Sequence, residues 1–160
     1  MASPSITIVN SSTDASVANV DFGTVQANND SVTVPVRIWN NRGGAAALSD
    51  FRDVSITALD TDGGASSDVV AGKWVRVNCP TVDGNSSTWT QVGGTTVKFL
   101  RALGVASSDG NTIKGTVNDG IADTVASKVN YTEINIKVHV PLNAVPGTKS
   151  WKMRINGYYV

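Results

Sequence analysis

Apolar and polar side chains alternate one by one along three separate stretches of this chain, and successive side chains of an extended strand point to opposite faces. In SVTVPVRIW, Val32, Val34, Val36 and Ile38 share one face while Thr33, Pro35 and Arg37 share the other. In TEINIKVHV, Ile134, Ile136, Val138 and Val140 turn inward, and Glu133, Asn135, Lys137 and His139 outward. From Trp151 the pattern returns, with Trp151, Met153 and Ile155 against Lys152, Arg154 and Asn156, and it runs almost to the last residue. Strands with one apolar face must bury it against another such face, so the chain is expected to form two packed sheets or a closed barrel. A sandwich is the favoured arrangement.

Weaker strand patterns fall at 5–9, 20–25, 54–59, 73–77, 87–91 and 95–100, punctuated by turn-forming NNRGG, DTDGG, DGN and PGT. That gives about eight or nine strands. Pro35 removes a ladder donor and predicts an edge position or a bulge. GGAAALSDFRD is the best candidate for a short helical turn, with Ser49 or Asp50 as its cap. A polar stretch at 104–131 separates the late strands; it reads either as a binding loop or arm, or as a minor hairpin around 112–117 with flexible flanks.

The 160 residues fit one domain, 1–160, in which 1–19 form either an N-terminal strand or an arm. Charged residues are 16% of the chain, below the roughly 25% of ordinary domains, and Ser, Thr, Asn and Gly take their place. Thirteen basic residues balance thirteen acidic ones, so no global field favours nucleic acid or an anionic membrane. The opening MASPSITIVNSS has neither the basic start nor the apolar run of a signal peptide, and no segment has the length of a membrane span.

Chemistry is sparse. His139, the single histidine, would have to serve any Ser-His or Cys-His mechanism, yet it falls on the outward face of a regular strand. Cys79, the single cysteine, has no partner for a disulfide or a CxxC motif and reads as a small structural side chain. Asp60, Asp62 and Asp68 surround a glycine turn and offer oxygen ligands suited to calcium, but without the closing Glu of an EF-hand loop. No catalytic residue, metal site or cofactor is expected, and an enzyme is the least favoured class. Of four tryptophans, Trp151 reads as core. Trp39, on the polar face of its strand, and Trp89, in NSSTWTQ, read as exposed and so as candidates for a protein or glycan interface. The tip Tyr158, Tyr159 and Val160 departs from alternation and presents apolar surface on both sides, which suits either a subunit contact or packing within its own domain.

VDFGTVQANNDSVTVPVRIWNN resembles the opening of many bacterial and viral immunoglobulin-like sandwich domains, with a Phe-Gly turn, a polar spacer, an alternating strand and an Asn-rich turn. VPLNAVPGTKSWKMRINGYY is similar to the closing pair of strands in such domains. Together these runs cover about forty residues at the two ends. The resemblance implies an immunoglobulin-like antiparallel β-sandwich and a place among the accessory proteins of tailed-phage virions: capsid decoration proteins, head fibres and tail ornaments. It implies a protein made in the host cytoplasm and located in the virion, with other capsid or tail proteins as partners, a homo-oligomeric state, and no catalytic residue. The alternative is a carbohydrate-binding or adhesin-like module using Trp39 and Trp89, and a virion surface domain could itself bind host glycans.

Overall fold

The computed structural model describes residues 2–159; Val160, the last residue of the apolar tip, lies outside them. The described chain is all-β with three short helical turns. Its strands are β1 (Ile6–Asn10), β2 (Asn29–Asp30), β3 (Val34–Asn40), β4 (Phe51–Leu59), β5 (Val75–Asn78), β6 (Thr90–Val92), β7 (Lys98–Phe99), β8 (Tyr131–Val140) and β9 (Lys152–Tyr159). They form two antiparallel sheets, one in the order β1-β3-β8-β5-β6 with β2 also paired to β8, the other in the order β7-β4-β9. The alternating faces meet between them: Val36 and Ile38 of β3, Val54, Ile56 and Ala58 of β4, Val75 and Val77 of β5, and Ile134, Ile136 and Val138 of β8 make one apolar core. No helix among the described residues is long and apolar enough to cross a membrane.

The sheets converge on one side, where the Gly94 N–H donates to the Ala58 carbonyl at 2.9 Å and ties the β6–β7 turn to β4. On the other side β1 and β9 stand apart, leaving a cleft of about 1330 Å³ whose walls include Val36, Ile134, Met153 and Ile155. The coil 17–27 runs across it, with Phe22 stacked on Trp151 at 5.8 Å between ring centroids. This coil contains 20–25, expected as a strand. Apart from Phe22 and Val25 the side chains of 20–25 are exposed, so little burial offsets the entropy of ordering that segment as a ladder.

Pro35 lies in an interior strand rather than at an edge. β1 ends at the pair Asn10–Val36, so the nitrogen of Pro35 falls just past the ladder and costs it no bond. The helical turn expected in 43–53 is absent, because Phe51 is already paired with Tyr159 and bridged to Ile113. Asp50 caps nothing and instead accepts the Gly115 N–H at 3.0 Å. Helical turns occur at α1 (Asp68–Ala71), where the Ser67 hydroxyl accepts from Val70 N–H, at α2 (Pro80–Asp83), and as a 3-10 turn at Ser107–Asp109. Neither α1 nor α2 is visible in the sequence, because four residues are too few to show a 3.6-residue rhythm.

The 104–131 segment is neither an arm nor a hairpin around 112–117. Ile113 joins the edge of β4 through two bonds to Phe51, and Lys114 N–H donates to Val129 O at 2.8 Å. Buried asparagine side chains replace a ladder elsewhere. Asn130 Nδ2 donates to the carbonyls of Lys114 and Thr116, both at 2.9 Å, and Asn41 Nδ2 to those of Ala46 and Gly115 at 2.8 and 2.9 Å. Asn118 Oδ1 accepts from Gly43 and Gly120 N–H. Each amide can donate and accept at once, which lets one side chain satisfy two strands of backbone in a loop that has no repeat. Gly115 is required here: a Cβ would lie 2.4 Å from the Leu48 carbonyl oxygen.

Candidate interface

The structure separates the residues singled out as an interface. Trp39 is fully buried, a correction to its expected exposure. It does project from the polar face of β3, but the 104–131 segment folds over that face and encloses a second small core of Val9, Trp39 and Tyr131, with Ala122 against it. The Trp39 and Tyr131 rings lie 4.5 Å apart at 36°, and the Arg42 guanidinium sits 5.4 Å from the Trp39 ring. The Trp39 Nε1–H has no hydrogen-bond partner among the described residues. The Tyr131 hydroxyl donates to Asp123 Oδ1 at 2.9 Å, and burial raises its pKa to about 12.

Trp89 is half-buried on the outer face of the larger sheet. The Lys137 ammonium lies 4.3 Å from its ring centroid and also donates to Asp30 Oδ2 at 2.6 Å. Asp30 Oδ1 in turn stands 2.7 Å from His139 Nδ1. The hydrogen bond from Lys137, followed by that from His139, holds the Asp30 carboxyl below its ordinary pKa against the opposing pull of burial. This is a surface charge cluster that orders Trp89 and fastens β2 to β8.

The acidic residues around the glycine turn do separate structural work. Asp60 accepts hydrogen bonds from the Ser67 hydroxyl and from Ser66 and Ser67 N–H, and the Ser67 bond is the largest cause of its lowered pKa. Asp62 closes its own turn by accepting Gly64 N–H at 2.8 Å, and Asp68 pairs with Lys149 at 2.6 Å. Among the described residues no three His, Cys, Asp or Glu side chains gather as a metal-binding group. Cys79 is buried with Sγ 3.5 Å from Thr132 Oγ1.

Tyr158 and Tyr159 are 50% and 56% exposed, and they end β9, a strand with an open edge. Among the described residues β9 pairs only with β4. The carbonyls of Val54 and Ala58 accept from Leu100 and Gly94 on the β7 side, so by alternation Ser55 and Thr57 direct their backbone groups at β9, to Asn156 and Arg154. The intervening Met153, Ile155 and Gly157 therefore turn their N–H and C=O groups away from β4. No further backbone bond among the described residues meets them. Every other edge is short or covered. β6 and β7 have three and two residues. Beside β1 the chain turns back, with Asn10 N–H donating to Ala15 O and Val17 N–H to Ile8 O.

Two features escaped the sequence reading. Lys98 and Asp83 form a buried ion pair, with Asp83 Oδ2 also accepting from Cys79 N–H at 2.9 Å and Asn78 Nδ2 at 3.1 Å. Nothing in TTVKFL marks Lys98 as buried, although its alternation with Leu100 places both on one face. The free edge of β9 also left no trace, since strand order is not written in a period-two pattern. Comparison with protein-family profiles, with curated proteins and with solved structures finds no match to this chain.

Proposed function

We propose that the chain is a non-enzymatic structural protein of a virion, a tailed-phage capsid decoration or tail accessory protein whose repeated copies bind a protein lattice. The observation that carries this reading is the edge of β9, eight residues long, unpaired on one side and ending in two exposed tyrosines. Such an edge is a template for main-chain pairing with another protein strand. The two-sheet fold agrees with an immunoglobulin-like domain, and the resemblance at the two ends of the chain supplies the virion context by analogy. On this reading the partners are capsid or tail proteins together with further copies of the chain.

Antibodies against the purified chain test the proposal on tailed-phage particles from the source of its gene. Labelling of capsid or tail at regular positions in electron micrographs is the expected result. Particles free of the chain by mass spectrometry would overturn it. The glycan-binding alternative now stands on Trp89, since Trp39 is buried, and Lys137 covers one face of the Trp89 ring. It requires a glycan-array signal that Trp89→Ala abolishes.

A further inference from the structure

We propose that β9 recognises a second copy of itself: two chains pair antiparallel along this edge about a two-fold axis at Ile155, joining two three-stranded sheets into one of six strands. The inference rests on the assembly reading above and names its partner.

The register follows from three observations. The outward backbone groups are those of Met153, Ile155, Gly157 and, by the same alternation, Tyr159, and the first three form a set symmetric about Ile155. An antiparallel ladder exchanges both bonds between residues directly opposite, so Ile155 would pair with its own copy and Met153 with the partner copy's Gly157. Met153, Ile155 and Gly157 of both strands are then satisfied, and each Tyr159 falls opposite the partner copy's Trp151, just before its strand.

Charge points to the same register. Lys152 and Arg154 lie exposed on the outer face of β9, and basic residues on an edge strand normally discourage pairing. Centred on Ile155, however, Lys152 faces the partner copy's Tyr158 and Arg154 its Asn156, so no two cations stand opposite. Lys152 gains the face of an exposed tyrosine ring. A register centred on Met153 would instead set Lys152 against Arg154 twice, and like charges directly opposite destabilise a sheet. The charges thus exclude the Met153 register without forbidding pairing, and the charge-swapped double variant below separates the Ile155 register from one centred on Asn156, where residue 156 would face its own copy.

The inner face is compatible. Met153 and Ile155 are only partly buried in the monomer and carry no charge, and the partner's Gly157 opposite Met153 brings no side chain to clash. Inward-pointing charge and proline, the devices that block edge pairing most effectively, are missing from MRINGYY. The pair also covers Tyr158 and Tyr159 at the strand end.

Light scattering on the full chain tests this. The unaltered protein is expected to give twice the 16.7 kDa chain mass at high concentration. Asn156→Lys, which sets a new cation against Arg154 at two symmetric places on the outer face, is expected to weaken the dimer at least about tenfold, corresponding to about 1.4 kcal/mol. The double variant Arg154→Glu with Asn156→Lys turns both contacts into opposite-charge pairs and is expected to restore the dimer. A monomer at every concentration overturns the proposal, and so does a dimer indifferent to Asn156→Lys or one that the double variant fails to restore. None of these outcomes bears on particle labelling, which tests the lattice reading separately.

Discussion

Asn130→Ala tests whether buried amides, rather than regular ladders, hold the 104–131 segment in place. Asn130 is fully buried in the turn immediately before β8. Its Nδ2 supplies the Lys114 carbonyl, which receives no other hydrogen bond among the described residues, and shares the Thr116 carbonyl with Asn41 and Asn118. Its Oδ1 accepts the Thr116 hydroxyl at 2.9 Å. Truncation leaves the Lys114 carbonyl unpaired, at about 1–3 kcal/mol, while exposed Thr116 recovers its bond from water. With a further bond lost, the expected destabilisation is about 2–4 kcal/mol, a large part of the 5–15 kcal/mol typical of a domain. Urea denaturation should show a lower midpoint at unchanged slope, and the melting temperature should fall by about 5–15 °C. Asn130→Asp should cost more, since a carboxylate would face two carbonyls with no proton to give. The exposed control Asn19→Ala should stay within about 0.5 kcal/mol of the unaltered chain. If Asn130→Ala did the same, the amide account of the loop would be wrong.

Three further outcomes follow from buried or hydrogen-bonded charges. Asp60 is held below its ordinary pKa in the folded chain, so its stabilising contribution is present above the unfolded value of 3.8 and is lost as pH falls through the folded value; Asp60→Asn should flatten the acid limb of a stability-against-pH curve, and an unchanged limb would refute this. Tyr131 is the opposite case: its pKa is raised to about 12, so its contribution is complete below the unfolded value of 10.0 and disappears as pH rises through the folded one. Ultraviolet titration should show a late phenolate step near pH 12 that Tyr131→Phe removes. Lys98→Ala strands the Asp83 carboxylate in the interior and should cost about 3–5 kcal/mol in chemical denaturation, whereas an effect under about 1 kcal/mol would mean that water reaches the pair.

The strands were legible in the sequence wherever the solvent lay on one side. Ile134, Ile136 and Val138 face the core as their alternation requires, and the same holds for Val36 and Ile38. Alternation misleads where a second layer covers the polar face. Trp39 alternates with Ile38 as an outward residue should, but Tyr131 and the loop before it bury it from outside, and nothing local to RIWNN reports a loop ninety residues later. The 20–25 segment misleads in reverse: its Val20 and Phe22 match a strand, yet it runs across the cleft between β1 and β9 without a ladder to join. Of the interface residues, Tyr158 and Tyr159 were legible as exposed because alternation breaks at the tip. The backbone edge they terminate was not, since a free edge depends on which strands become neighbours and on where β1, β6 and β7 stop.

Residue-resolved hydrogen exchange along β9 tests the free edge most directly. In the Asn156→Lys variant diluted to the monomer, the amides of Arg154 and residue 156 should be protected by β4 while those of Met153, Ile155 and Gly157 exchange rapidly; in the unaltered chain at high concentration all five should be protected. Uniform protection in the monomer would show the edge already occupied within one chain. Rapid exchange at Ile155 in the concentrated protein would show that no second strand binds there, and either result would contradict the account.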